Sequence, residues 1–383
     1  MTGKQTSEEI RRDEGFMREC LELARLELGL TSPNPAVGCV LVRGGEIVGA
    51  AATAPGGRPH GETLALAQAG AKARGATAYV SFEPCSHYGQ TPPCARALID
   101  AGIGRVVIGC RDPYPPVRGR GIAMLKRAGI PTVVGILEQE CRRLNEGFIT
   151  RVTVGRPFAI LKLAASLDGR ISAAGGDSRW ISSDASRNLV HQWRREADVV
   201  MVGAATVIAD NPRLTCRLPD GRDPVRVVVD GQLRSPPEAR IFRQRSPSLT
   251  IVATTTANLT RARRRYGKRV EIIAAGDDRA GGIALSEMMR VLARRGWSKV
   301  LIEGGAHLAG AVLKAGVVDR VAIFIAPLII GCGLPTVESL SFNRIRRALR
   351  LVNLNGRASG ADWLLEAEVA KKRPARQKLG PRR

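Results

Sequence analysis

Aromatic side chains are scarce in this sequence: Phe, Trp and Tyr make up only 4% of its 383 residues. Proteins that hold unpaired bases stack them on such rings. The scarcity therefore argues against a nucleic-acid partner, although the formal net charge is +24. Long apolar runs are missing too. No stretch of 18 consecutive apolar residues occurs, and the first twenty residues are polar and of mixed charge, so neither a membrane span nor a secretory leader is expected. Cysteines stand at 20, 39, 85, 94, 110, 141, 216 and 332, too sparse for a disulfide framework, and a cytoplasmic, reducing compartment is expected. No Gly-x-Gly-x-x-Gly follows a strand candidate, which removes the Rossmann dinucleotide fingerprint.

The excess of 59 basic over 35 acidic residues lies largely in local runs, at 261–269 and in a tail, 371–383, with seven basic and no acidic residues. The tail has two prolines and no apolar periodicity, so disorder is expected there. Such charge reads as a solvated or weakly polyanion-attracting surface, and its field also favours a small anionic substrate.

What the chain does contain is a set of metal-ligating residues between 60 and 94. The set opens with His60-Gly61-Glu62 and closes with Pro84-Cys85-Ser86-His87-Tyr88-Gly89-Gln90-Thr91-Pro92-Pro93-Cys94. One imidazole and two thiolates are ligands that Zn²⁺ prefers, and three protein ligands leave a fourth position for water, the catalytic arrangement. Two thiolates cancel the ion's charge, so the water ionises near neutral pH. Glu62 lies two residues beyond His60, off its helix face, and reads as a proton carrier rather than a ligand. Ordinary buried thiols are the competing reading; Pro-Cys occurring twice and the Glu behind His60 weigh against it. His87 is a decoy ligand, since only His60 has both a Glu two residues on and an apolar helical stretch behind it. Zinc deaminases show H-x-E followed by P-C-x-x-C; here eight residues separate the cysteines instead of two.

Apolar periodicity predicts a first helix over 8–28, stopped by Ser32-Pro33-Asn34-Pro35. Strands at 37–42 and 46–51 form a hairpin around Arg43-Gly44-Gly45. Asn34 reads equally as a turn former or a pocket residue. A helix from His60 to about Ala73, a strand at 76–82 and a helix at 94–101 follow, which puts Cys94 at a helix N-terminus that favours a thiolate. Strands at 105–110 and 132–135 and helices at 122–128 and 138–148 complete an α/β unit over residues 1–153. A second α/β unit, 154–370, has strands at 157–164, 199–202, 225–229, 249–253, 270–274, 299–303 and 321–327, with helices at 183–197, 285–295 and 307–315. Within it, Ile302-Glu303-Gly304-Gly305-Ala306 runs from strand through paired glycines into a helix, a pattern that either binds phosphate or merely turns.

The segment from Phe82-Glu83-Pro84-Cys85 to Cys94 resembles the zinc segment of the bifunctional riboflavin-biosynthesis deaminase/reductase family, long cysteine spacing included. Asn34-Pro35-Ala36-Val37-Gly38-Cys39-Val40 and Gly119-Arg120-Gly121 fit that family's first domain. Leu161-Lys162-Leu163-Ala164-Ala165-Ser166-Leu167-Asp168-Gly169-Arg170, Ser178-Arg179-Trp180-Ile181, Thr206-Val207-Ile208-Ala209-Asp210-Asn211-Pro212-Arg213-Leu214-Thr215 and Glu303-Gly304-Gly305 fit its second. The likeness runs from about residue 14 to 370 and implies an α/β protein: a cytidine-deaminase-like α/β/α sandwich, then a dihydrofolate-reductase-like domain. The implied activities are zinc-dependent deamination of 2,5-diamino-6-(5-phosphoribosylamino)pyrimidin-4(3H)-one and NADPH-dependent reduction of the ribosyl group of the aminouracil product to ribityl.

By position the resemblance makes His60, Cys85 and Cys94 ligands of one zinc per chain and Glu62 the proton carrier. Ala165, Trp180, Ser182, Thr206, Asp210 and a turn of Gly305, Ala306, His307, Leu308, Ala309, Gly310 and Ala311 correspond to the NADPH side. Ser178, Arg194, Leu214, Arg217 and Glu303 correspond to contacts with the phosphorylated pyrimidine, the two arginines suiting forked bonds to phosphate. Lys162 and Asp210 correspond to polar assistance to hydride transfer. A homo-oligomer is expected, with no membrane partner. An RNA-acting zinc deaminase with an accessory domain is the alternative; the cysteine spacing and Ser166-Leu167-Asp168-Gly169-Arg170 argue against it. Gly61 replaces the family's usual Ala, an expected cost of up to about 1 kcal/mol of helix stability, and Tyr114 stands for its usual Asn.

Overall fold

The computed structural model describes residues 6–88, 92–219, 221–278 and 281–370. The tail for which disorder is expected, and Gly89, Gln90 and Thr91 of the cysteine segment, lie outside the described residues.

Helix α1 (Ser7–Leu26) starts at a capping box: Thr6 Oγ1 accepts from the Glu9 amide while the Glu9 carboxylate accepts from the Thr6 amide, which satisfies two end donors at once. Its buried face (Met17, Cys20, Leu21, Ala24) packs on the first sheet. The chain continues through β1 (Gly38–Arg43), β2 (Glu46–Ala52), α2 (Gly61–Ala69), β3 (Thr77–Phe82), α3 (Cys94–Asp100), β4 (Arg105–Cys110), α4 (Arg120–Arg127), β5 (Thr132–Val134), α5 (Glu138–Leu144) and α6 (Glu146–Val154). These strands form a five-stranded sheet, β2-β1-β3-β4-β5. β1 is antiparallel to β2 and β3, and β3, β4 and β5 run parallel. α1 packs beside α5, while α2, α3 and α4 neighbour one another; helices cover both faces of the sheet.

The second half runs through β6 (Phe158–Ser166), β7 (Arg170–Ala173), α7 (Asp184–Glu196), β8 (Val199–Gly203), α8 (Ala204–Asp210), β9 (Val225–Val229), α9 (Arg240–Arg243), β10 (Thr250–Thr254), α10 (Leu259–Tyr266), β11 (Glu271–Ala274), α11 (Leu285–Arg294), β12 (Lys299–Ile302), α12 (Ala306–Lys314), β13 (Arg320–Ala326), β14 (Gly333–Pro335), β15 (Leu351–Ser359) and β16 (Asp362–Val369). β7 pairs with β14 alone. The other strands form a nine-stranded sheet, β11-β10-β9-β8-β12-β6-β13-β16-β15. Its first seven strands are parallel and read as near-continuous Val/Ile/Leu runs, as expected of strands buried on both faces. The chain steps outward from β8 to β11, then returns to insert β12 between β8 and β6. Connections thus diverge at β12 and β6, the switch point beyond whose carboxyl ends open α/β sheets place their ligand crevice. The β15–β16 hairpin was not anticipated. Asn353, Asn355 and Gly356 break the alternation in β15, and eight of its nine residues are exposed.

The two halves meet through polar contacts. Arg320 of β13 grips Glu146 of α6 with two bonds, 3.0 and 2.5 Å. Arg151 Nε donates to Ser298 Oγ at 3.0 Å, and Gly147 lies where a Cβ would approach the Ser298 carbonyl to 3.0 Å. Buried Asn145 exchanges two hydrogen bonds with the Ala36 backbone, which ties the α5–α6 junction to the approach to β1.

Inside α12, a Cβ on Gly310 would lie 1.6 Å from the Glu338 carbonyl oxygen, so helix and following chain touch backbone to backbone. Gly310→Ala is expected to cost about 1–3 kcal/mol, as overpacking does, measured as a lower midpoint in urea unfolding.

Candidate active sites

Three element ends bring the metal-ligating residues together. His60 is the N-cap of α2 rather than its first turn, Cys85 follows β3 by three residues, and Cys94 opens α3. His60 Nδ1 lies 3.2 Å from Cys94 Sγ and 3.7 Å from Cys85 Sγ, and the Cys94 amide donates to Cys85 Sγ at 3.2 Å. All three ligand atoms lie within 4.8 Å of one another. Bonds of about 2.3 Å to sulfur and about 2.0–2.1 Å to nitrogen need such separations in a tetrahedral site, so the donor set fits zinc. The exposed His87 is not part of the cluster.

The thiols are electrostatically unequal. A hydrogen bond from Cys94 holds Cys85 down to about 4 against the effect of burial, with His60 adding to the effect. Cys94 is pushed far up by its bond to Cys85, by burial and by the Glu62 and Cys85 charges. The pair holds one negative charge readily; a second needs a cation between them. Glu62, in the first turn of α2, is only 3% exposed, and burial lifts its carboxyl to about 7 although the His60 charge opposes the shift. A buried acid near neutrality both accepts and returns protons.

Gly61 corrects the expected helix cost. It occupies the first helical position, and a Cβ there would lie 2.6 Å from the Val37 carbonyl oxygen. The glycine permits close approach to the lead into β1, and the mid-helix penalty does not apply. Asn34 acts as a turn former: its Nδ2 donates to the Gly57 carbonyl at 2.7 Å, bracing the turn that leads to His60.

The second constellation sits at the carboxyl ends of the parallel strands. Arg194 of α7 grips Glu303, just past β12, through Nε (2.6 Å) and Nη2 (2.8 Å), and its Nη1 donates to the Thr215 carbonyl at 3.1 Å. This corrects the expectation of an Arg194 fork open to phosphate: the fork is taken by Glu303. Burial alone would raise Glu303, but the Arg194 charge and bonds outweigh it, helped by Lys162, and the net shift is downward. Lys162 in β6 is lowered by burial, against the opposing Glu303 charge. Arg217 is exposed, its amide donating to His191 Nδ1 at 3.3 Å, and its guanidinium has no side-chain partner among the described residues.

Residues 305–311 are the cap and first turns of α12, the helix expected over 307–315, rather than the turn that the family likeness implied. Gly305 N-caps α12, and its amide is already used, donating to Thr206 Oγ1 at 3.1 Å. Ala306, Leu308, Ala309 and Gly310 are buried, His307 is exposed and Ala311 half-buried. Asp210 Oδ1 accepts from Ser178 Oγ at 3.3 Å, and the Asp210 carbonyl from Arg179 Nη2 at 2.8 Å. Trp180 is 70% exposed with the Arg187 guanidinium 4.6 Å from its ring centre. The Ser182 carbonyl accepts from Arg187. Ala165, next to the last residue of β6, is buried, and so is Leu214, in the core of the second half.

Three polar residues near these sites escaped the sequence reading. Glu83 and Asp112 are both buried, and burial, with the Glu83 and Cys85 charges, lifts Asp112 to about 6. His191 lies against Arg217. The only signal was adjacency: Glu83 precedes Pro84-Cys85, and Asp112 begins Asp112-Pro113-Tyr114-Pro115. Nothing in the structure explains Tyr114 in place of Asn.

The family described as "Cytidine and deoxycytidylate deaminase zinc-binding region" matches residues 10–110, and "RibD C-terminal domain" matches 157–365. The riboflavin biosynthesis protein RibD of Synechocystis sp. is 42% identical over 92% of this chain and 95% of its own length. That of Escherichia coli is 41% identical over 86% and 93% respectively. The crystal structure of the Thermotoga maritima diaminohydroxyphosphoribosylaminopyrimidine deaminase/5-amino-6-(5-phosphoribosylamino)uracil reductase has a TM-score of 0.84 at 37% identity, covering 94% of this chain and 100% of that one. Acinetobacter baumannii RibD gives 0.83 at 35% identity, with the same coverage.

Purified protein is expected to carry about one zinc per chain. Cys85→Ser and Cys94→Ser should each lose it in elemental analysis; full occupancy in either would remove that residue from the ligand set.

Proposed function

Since this chain belongs to the RibD family, a bifunctional deaminase and reductase of riboflavin biosynthesis that uses zinc and NADPH, we propose a residue-level division of labour. Residues 1–153 form the deaminase half and 154–370 the dihydrofolate-reductase-like half, a division one residue short of the end of α6 and close to its break with β6. The first half deaminates 2,5-diamino-6-(5-phosphoribosylamino)pyrimidin-4(3H)-one; the second reduces the ribosyl group of 5-amino-6-(5-phosphoribosylamino)uracil to ribityl. One observation carries the reading: a His60/Cys85/Cys94 cluster with the buried carboxyl of Glu62 beside it. The RNA-acting alternative is not favoured, because the reductase family matches 157–365.

His60, Cys85 and Cys94 hold the zinc, which when bound supplies the Lewis acidity that makes water nucleophilic near neutral pH. Glu62 takes the proton of the attacking water, gives it to the ring nitrogen and assists departure of ammonia. In the reductase half NADPH supplies the hydride, and the protein's part is placement. Ala165, Trp180, Ser182, Thr206, Asp210 and the first turn of α12 border the cofactor. Lys162, lowered by burial, and Asp210 stand as the polar groups beside the carbon that accepts hydride. Arg217, with its free guanidinium, faces the substrate phosphate, together with Ser178. Arg194 acts on the substrate side through Glu303, which it orients.

The chain works as a homo-oligomer. The open β15 edge and the exposed Leu351, Val352, Leu354 and Trp363 make an apolar strand edge of the kind a second copy covers. No helix among the described residues is long and apolar enough to cross a membrane, and the free cysteines suit a reducing cytoplasm. A small phosphorylated pyrimidine needs no nucleic-acid partner.

Glu62→Gln should lower ammonia release by about 10²–10⁴-fold while zinc content and reduction of supplied aminouracil stay at wild-type values; near-normal deamination would show that another group moves the proton. The two arginines should separate cleanly. Arg217→Ala is expected to raise the reductase-substrate KM at constant melting temperature, whereas Arg194→Ala leaves Glu303 buried and unpaired, a loss of about 3–5 kcal/mol in denaturant unfolding. An unchanged KM in Arg217→Ala would take it off the phosphate site.

A further inference from the structure

One buried carboxylate beside the metal cluster takes no part in this chemistry. α4 begins after Gly119, whose φ of +74° puts it in the left-handed region and which has no side chain to cap the helix. First-turn amides have no intrahelical acceptor, and here the acceptor comes from another element. Glu83, one residue past β3 and 4% exposed, accepts through Oε1 from the amides of Gly121 (3.1 Å) and Ile122 (3.3 Å). Through Oε2 it accepts from Gly119 (3.0 Å) and Asp112 (3.2 Å). A carboxylate at a helix N-terminus is further favoured by the helix dipole.

The contact is close on the other side as well: a Cβ on Gly121 would lie 2.0 Å from the Pro84 carbonyl oxygen, and the next residue is Cys85. The segment gathered by Glu83 is compact in itself. The Tyr114 amide donates to Asp112 Oδ1 at 2.8 Å, the Val117 and Arg118 amides donate to the Tyr114 carbonyl at 2.9 Å, and the Arg120 amide to the Val117 carbonyl at 2.8 Å. Val117 plugs it into the core at 2% exposure, while Tyr114 and Arg118 are exposed. The backbone of Gly121, at the end of this segment, packs on the Pro84 carbonyl beside Cys85, so the segment adjoins the metal cluster.

We propose that Glu83 is a positioning residue of the deaminase: by gathering the Asp112, Gly119, Gly121 and Ile122 amides, it fixes the 112–119 segment as the wall that holds the pyrimidine substrate beside Cys85. This rests on the deaminase reading. It adds a requirement to it: loosening the wall weakens substrate binding without touching the metal or the proton carrier.

The test uses the full-length, zinc-loaded protein. Glu83→Gln keeps the shape but turns an NH₂ toward two backbone donors, so half of the clamp is lost. Amide hydrogen exchange across 112–122 should quicken by about tenfold or more, as expected when charge-assisted hydrogen bonds are removed. Deaminase KM should rise by about tenfold with kcat nearly constant, while zinc content and reductase kinetics match wild type. Gly121→Ala displaces the same segment with the carboxylate intact and should reproduce the KM rise, which covers the case in which Glu83→Gln does not fold. The proposal is overturned if exchange across 112–122 is unchanged in Glu83→Gln, if exchange quickens while KM stays at wild type, or if zinc and activity fall together. Absence of ammonia release from the wild-type protein would instead refute the deaminase reading, and the exchange result would still report on the clamp.

Discussion

Two thiols packed side by side, one buried and one half-buried, cannot both ionise readily without a cation between them, and the arrangement of the first half follows from that constraint. Cys85 comes from the end of a strand, Cys94 from the start of a helix and His60 from the cap of another. Three element ends converge where negative charge must be held. The Cys94 amide on Cys85 Sγ is the local expression of this. Glu62 shares the same space, so the burial that makes the thiols need a metal also lifts its carboxyl to about 7. One low-dielectric pocket produces both the ligand set and the acid–base group.

The second half solves a different problem, holding an anionic substrate and a cofactor beyond the ends of parallel strands. Insertion of β12 between β8 and β6 brings Glu303, Lys162 and, from α7, Arg194 into one buried group. Pairing Arg194 with Glu303 leaves the carboxylate oriented and the guanidinium engaged, while Arg217 stays exposed. Thr206 uses up the Gly305 amide; it joins α8 to α12 and keeps both borders of the crevice in register.

Much of this was legible before any coordinates. Strands of the parallel sheet announced themselves as short Val/Ile runs, and the zinc residues by type and order alone. His60-Gly61-Glu62 and the two Pro-Cys pairs named the metal site because ligand chemistry is carried by residue identity. The β15–β16 hairpin was not legible, because an edge strand exposed along its length needs no apolar alternation. The helix after Gly304-Gly305 was legible, but not what its first amide does, because Thr206, which accepts from Gly305, lies about a hundred residues away in the chain.

What the sequence by itself determined is therefore which residues can bind metal, move protons and build buried strands, since each depends on side-chain chemistry and local period. Only the tertiary structure decided how those groups are spent: that Arg194 answers Glu303 rather than a ligand, that Gly61 yields space to Val37, and that Glu83 reaches across to the start of α4. Such pairings join residues 24 to 109 positions apart in the chain, and burial, which sets their strength, exists only once the layers have closed.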